Sequence, residues 1–149
     1  MTPAFRHVAL IGKSPSSEVA GSLEALAAFL AGKGCTVLAE SESSQADLAI
    51  VIGGDGTMLG AVRQLVRHRV PVVGVNQGRL GFMTDIALRD MRKSIGAILG
   101  GRFTTEERTL IDAEIVRGGA TLLTTLALND AVVNKGAEKA PAHGWFATI

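Results

Sequence analysis

Cysteine is almost missing from this sequence. Cys35 stands alone, so a disulfide framework within one chain is excluded. A lone cysteine reads as a small core side chain rather than a nucleophile. Charge of one sign is also missing: 15 basic residues stand against 14 acidic ones, for a net charge of +1. That balance makes no case for nucleic acid or an anionic membrane as a partner. No apolar run approaches the length needed to span a bilayer. Met1 to His7 has no basic stretch ahead of a long apolar run, so no secretory leader is expected and the expected location is cytoplasmic. The three histidines, His7, His68 and His143, show no metal-ligand spacing with one another or with Cys35. His68 is expected to be solvated at the polar end of a helix. Internal repeats and low-complexity segments are absent as well.

What is present is a chain able to fold. Its 149 residues are 47% hydrophobic, enough for one domain with a core, or one domain and part of another. The positive mean hydropathy argues against disorder. The organising stretch is Leu48 to Leu59. Leu48 to Ile52 is a short, β-branched apolar run closed by glycine, which reads as a buried strand. Met58, Leu59, Val62, Leu65 and Val66 then fall on one face of a helix expected to run to His68. The strand-to-helix corner is Gly53-Gly54-Asp55-Gly56. Its three glycines allow φ > 0 and let a ligand approach without meeting a Cβ. The N–H groups opening the helix favour an anion such as phosphate. Asp55 would repel that phosphate. Its expected work is to take a proton from a hydroxyl or to meet a phosphate-bound metal ion. Gly-Asp-Gly is also ordinary turn chemistry, and Asp or Thr commonly caps a helix start. Placement favours function, since open α/β sheets bind ligands at the carboxyl ends of their strands.

Other segments follow the same grammar. His7 to Gly12 reads as a first strand. Gly12-Lys13-Ser14 fails as a phosphate-binding P-loop, because the required glycine is replaced by His7 and Pro15 follows. Val19, Leu23, Leu26 and Leu30 mark a helix over 18–32, stopped by Gly32-Lys33-Gly34. Thr36 to Ala39 is a second strand, Glu40 to Asp47 a polar loop, and Pro71 to Val75 a fourth strand. The loop Asn76 to Met83 begins at that strand's end, beside the Asp55 corner if the strands are neighbours. It reads equally as a surface turn with Leu80, Phe82 and Met83 in the core. Leu88, Met91, Ile95, Ile98 and Leu99 mark a third helix, ended by Gly100-Gly101. Alternating strands and helices predict an α/β fold: a Rossmann-like, mostly parallel sheet with helices on both faces. Near Gly101 the pattern changes. Phe103 to Val116 and Thr121 to Asn134 are strand-like around a Gly118-Gly119 hairpin turn. The expected division is therefore an α/β domain over 1–101 and the start of a β-rich domain over 102–149. Asn129-Asp130 places two polar residues in an apolar strand, for structural pairing or ligand contact.

Three segments carry a family resemblance. Gly53-Gly54-Asp55-Gly56-Thr57 resembles the signature of NAD kinases and of the related diacylglycerol-type lipid kinases and phosphofructokinases. Val75 to Asp85 resembles the NAD kinase segment Asn-x-Gly-x-Leu-Gly-Phe-Leu-Thr-Asp, and Ala127 to Val133 its Ala-Leu-Asn-Glu/Asp-Val-Val strand. The resemblance runs over about residues 6–136 and favours NAD kinase over a lipid kinase. Gly60 departs from it, standing where many members carry a basic residue. So does the end of the chain. The family's Ala-Asp-Gly and Thr-Pro-Thr-Gly-Ser-Thr-Ala-Tyr segments have no counterpart, so a truncated or frame-shifted product is expected.

The resemblance implies transfer of the γ-phosphoryl of ATP, or of polyphosphate, to the 2′-hydroxyl of the adenosine ribose of NAD, giving NADP. It implies Asp55 as the base. Gly53, Gly54, Gly56, Thr57, Asn76, Asn129 and Asp130 are implied at the dinucleotide site, with Phe82 lining the adenine. A divalent cation, expected as Mg²⁺, accompanies ATP without a nameable ligand residue. A homo-oligomer is implied for the full-length protein. An inactive nucleotide-binding fragment is the alternative for this polypeptide.

Overall fold

A computed structural model of the chain describes residues 2–12, 17–78, 81, 83–128 and 131. Two compact units emerge, Met1–Thr104 and Thr105–Ile149.

The first unit is built on a five-stranded, wholly parallel sheet in the order β2-β1-β3-β4-β5. Its strands are β1 (His7–Gly12), β2 (Thr36–Leu38), β3 (Leu48–Gly53), β4 (Val72–Asn76) and β5 (Ile86–Ala87). The helices are α1 (Ser17–Gly32), α2 (Asp55–Leu65) and α3 (Met91–Leu99). The sequence of β3 explains its central place. All six residues of Leu-Ala-Ile-Val-Ile-Gly are buried, so the strand needs a neighbour on each edge and cover on each face.

Alternation along β3 divides the core in two. Leu48, Ile50 and Ile52 face a layer with Val8, Leu26 and Leu30 of α1 and Met91, Ile95 and Leu99 of α3. Ala49 and Val51 face the opposite layer with Ala9, Met58, Ala61 and Leu65 of α2. Helices thus cover both faces, as the alternation of elements predicts. The α2 face is filled largely by small side chains, whereas the other takes leucine and isoleucine. Cys35 is buried in the first layer and its thiol donates to the Phe5 carbonyl at 3.4 Å. Burial pushes that thiol's pKa up, in keeping with a core role.

Three segments differ from the sequence reading. Residues 40–45 form a 3-10 helix, Glu40–Gln45, instead of an open loop. Ser43 is buried there and accepts a hydrogen bond from Gln64 Nε2 at 3.1 Å, which ties the segment to α2. Ile86–Ala87 is a strand that periodicity does not reveal, because it exists only through pairing with Val75 and Asn76. Helix α3 begins at Met91, after a 3-10 turn, Leu88–Asp90. His68 is exposed, as expected.

The second unit contains an antiparallel pair, β6 (Leu110–Arg117) and β7 (Ala120–Leu128). Gly118 and Gly119 join them with φ of 58° and 80°. Both values are left-handed, as a two-residue hairpin turn requires. Residues 102–109 form no regular element, so β6 starts later than Phe103. Ile111, Val116, Leu122 and Leu123 are large, apolar and exposed on this hairpin.

One polar link ties the start of β1 to the residue that precedes β3. Asp47 Oδ2 accepts the backbone N–H of His7 at 2.9 Å and of Arg6 at 3.0 Å, with His7 Nδ1 at 3.2 Å. These N–H donors, His7 first, hold the Asp47 carboxyl below the ordinary carboxylate range. A depressed native pKa gives stability that is present above the unfolded pKa, about 4. That stability is lost as pH falls through the lower native value. Asp47→Ala is therefore expected to melt a few degrees below the parent at pH 7. The gap should shrink as the pH drops below about 4. Thermal unfolding at pH 7 and pH 3 measures it, and an equal gap at both would refute the ionic contribution.

Candidate functional site

The strand order reverses direction between β1 and β3, since β1 leads outward to β2 while β3 leads to β4 and β5 on the other side. Open parallel sheets bind ligands at the carboxyl ends of strands at such a reversal. Gly53 and Asn76 are register partners at the ends of β3 and β4. The Asp55 corner and the loop after Asn76 therefore leave the same edge of the sheet side by side.

Helix α2 starts at Asp55, three residues before the expected Met58. The apolar period marks only the part of a helix that faces the core. The turn Asp55-Gly56-Thr57 precedes that face. Gly54 is the N-cap, with extended backbone at φ −103° and ψ −173° and no side-chain cap. Thr57 and Met58 N–H close the first turn on the Gly54 carbonyl, each at 3.1 Å. Asp55 is thus the first helical residue, and its charge lies at the positive end of the helix dipole.

The corner glycines act differently from the expectation of positive φ. Gly53, Gly54 and Gly56 are not among the described glycines with positive φ. Gly53 is needed for close approach: a Cβ there would lie 2.6 Å from Thr57 Oγ1 and 2.8 Å from Thr57 Cβ. Thr57 thus belongs to the packing of the corner. Gly54 and Gly56 are exposed, and a Cβ at either would meet nothing within 4 Å. The backbone there is open to a ligand.

The second loop is held from within. Asn76 is only 4% exposed. Its Nδ2 donates to Thr84 Oγ1 at 2.7 Å, and its Oδ1 accepts the Gly78 N–H at 2.7 Å. Thr84 is fully buried. A Cβ on Gly74 would meet Thr84 Cγ2 at 2.7 Å and the Met83 carbonyl oxygen at 3.0 Å, so the returning chain lies directly against β4. Asn76 therefore shapes the loop through both ends of its amide.

That loop reaches Asp55. The Met83 N–H donates to Asp55 Oδ1 at 3.1 Å. Gly81 lies so close to the Asp55 carboxylate that a Cβ at 81 would overlap it. The structure thus joins Asp55 and the 76–84 loop in one constellation. Gly74, Gly81 and Thr84 are members that sequence reading did not single out as functional. Phe82, Asn129 and Asp130 lie outside the described residues. Among the described residues, no three His, Cys, Asp or Glu side chains gather to hold a metal ion.

Residues 16–103 match the model of a family described as the ATP-NAD kinase N-terminal domain. The NAD kinase of Aromatoleum aromaticum is 46% identical over 155 residues, covering 91% of this chain and 52% of that protein. The NAD kinase of an Azoarcus species is also 46% identical, covering 91% and 53%. The chain spans about half the length of the curated relatives it matches. Among solved structures, yeast NADH kinase complexed with NADH superposes with a TM-score of 0.67 at 17% identity, over 86% of this chain and 47% of that one. An NAD kinase from Archaeoglobus fulgidus in complex with ATP gives 0.58 at 21% identity, over 77% and 45%. These two share the fold. The family match runs through both the Asp55 corner and the Asn76–Thr84 loop, and the chain belongs to the ATP-NAD kinase family.

Proposed function

We propose that this chain carries the phosphoryl-transfer half of an NAD kinase, the enzyme that makes NADP from NAD and ATP. The observation that carries the reading is Asp55, a carboxylate on the first turn of α2 at the topological reversal, beside the open backbone of Gly54 and Gly56. Phosphoryl transfer asks a protein mainly for alignment and charge stabilisation. In the proposed reaction the 2′-hydroxyl oxygen of the adenosine ribose bonds to the γ-phosphorus of ATP. The bond from that phosphorus to the bridging oxygen breaks, ADP departs, and the hydroxyl proton passes to Asp55.

Gly53, Gly54, Gly56 and Thr57 form the corner that admits the dinucleotide. Asn76 contributes by holding the neighbouring loop. Phe82 at the adenine, and Asn129 with Asp130 on NAD, complete the proposed site on the strength of the family resemblance. A divalent cation, expected as Mg²⁺, accompanies the ATP phosphates in the proposed reaction.

Residues 102–149 are proposed as the start of a β-rich domain completed in full-length relatives. The exposed Ile111, Val116, Leu122 and Leu123 support a hairpin that further chain covers. The homo-oligomer of the full-length protein and a cytoplasmic location belong to the same proposal. No helix among the described residues is long and apolar enough to cross a membrane. An inactive nucleotide-binding fragment is the second reading for this polypeptide. It is favoured by the half-length match alone.

Two measurements test these readings. In the chain extended by the second half of its relatives, Asp55→Asn should keep the shape and lose the base. Turnover, followed by coupled NADP formation, is expected to fall on the order of a hundredfold or more. Near-normal turnover would remove Asp55 from the mechanism. Calorimetric titration with NAD, beside the extended protein, should show the 149-residue chain binding far more weakly. Ligand pockets typically enclose about 70–90% of a ligand's surface, and one wall does not. Comparable micromolar binding by both would show that these residues already suffice.

A further inference from the structure

We propose that the backbone at Gly81 and Met83 positions Asp55, so that the loop after β4 sets the direction in which the carboxylate meets its substrate. This rests on the reading of Asp55 as the base. An aspartate on the first turn of a helix has several rotamers open to it, and its terminal torsion is broad. Helix α2 fixes only its Cα and Cβ. Here a second element chooses the orientation. The Met83 N–H grips Oδ1 at 3.1 Å, and Gly81 leaves no Cβ in the space that the carboxylate fills.

The grip is itself anchored. The Met83 carbonyl and Thr84 lie against β4 where Gly74 leaves room. Asn76 then ties both ends of the loop, through Gly78 and Thr84 at 2.7 Å each. Met83 packs partly buried against the α2 layer that contains Met58. The donor to Asp55 is therefore fastened to the sheet that also launches α2, and base and donor share one frame. Such support matters in a reaction whose rate depends on alignment, where a displacement of about 1 Å can cost a hundredfold.

Thermal unfolding of Gly81→Ala, Asp55→Ala and the double variant tests the contact in the chain as it stands. Gly81→Ala is expected to lower Tm by about 5 °C or more. The double variant should melt within about 1 °C of Asp55→Ala, because the added methyl then has no carboxylate to meet. If Gly81→Ala alone fails to fold while the double variant folds, the contact is supported. Equal losses in both backgrounds, or a double variant that also fails to fold while Asp55→Ala folds, overturn it.

Kinetics in the chain extended by its relatives' second half separate positioning from packing. Gly81→Ala should lower kcat on the order of a hundredfold while KM for NAD moves less than about threefold. An unchanged kcat, or a loss confined to KM, overturns the positioning role and leaves the base reading intact. That reading fails separately if Asp55→Asn in the same protein turns over normally.

Discussion

The burial of β3 on both faces is the constraint from which the rest of the first unit follows. Six consecutive buried residues leave the strand no solvent face. It must be bordered by β1 and β4 and covered above and below. Leu48, Ile50 and Ile52 need the larger layer that α1 and α3 supply. Ala49 and Val51 call for a helix on the opposite side, and α2 is that helix. To reach its face, α2 must start at once from the carboxyl end of β3. Thr57 then folds back on Gly53, and Asp55 becomes the first helical residue. The position of the candidate base is thus a consequence of how the core is filled. β4 pairs in parallel with β3, so its exit at Asn76 stands level with Gly53. The second loop is within reach of the first without any further device.

Elements whose identity rests on burial were legible in the sequence. β1 spans His7–Gly12 as its apolar run indicates, and β3 and β4 lie within about a residue of their runs. The mostly parallel α/β sheet followed from the alternation of elements, and the hairpin from Gly118-Gly119. Elements whose identity rests on something else were not legible. The first turn of α2 has no apolar residue before Met58, so periodicity starts the helix late. β5 is two residues long and has no period. It becomes a strand only because Val75 and Asn76 offer unpaired edge positions. Ser43 looked like one of several loop serines, yet it is buried, and its partner Gln64 lies 21 residues away on α2. A pairing at that separation leaves no local trace.

The site divides along the same line. Asp55 was legible because a carboxylate in a glycine corner after a buried strand is chemically conspicuous. Asn76 drew attention as the start of a loop at a strand's carboxyl end, beside the Asp55 corner. That loop read equally as one wall of a ligand crevice or as a surface turn. The structure shows what holds it: Asn76 bonds to Thr84 and to Gly78, at 2.7 Å each. The bond from Met83 to Asp55 spans 28 residues and uses a backbone donor, which every residue other than proline possesses. Nothing in residue identity announces such a bond. Gly81 is its one trace, and among the other glycines of the chain that trace has no contrast.

Glycine-rich corners are often read as flexible, and here the geometry argues otherwise. The described glycines with positive φ are elsewhere, at Gly34, Gly101, Gly118 and Gly119. Gly53, Gly74 and Gly81 are glycines because Thr57, the Met83–Thr84 backbone and the Asp55 carboxylate occupy the space that a Cβ would take. Glycine loses more backbone entropy on folding than other residues, about 0.5–1 kcal/mol relative to alanine within regular structure. What offsets that cost is contact. Each of the three allows two segments to meet more closely than side chains would permit, and close-packed contacts resist displacement. Gly54 and Gly56 are the opposite case, with open space where a Cβ would project. The corner therefore has a rigid side facing the protein and an open side. A phosphoryl-transfer site needs both: a fixed base, and backbone that a polyanionic ligand can reach without obstruction.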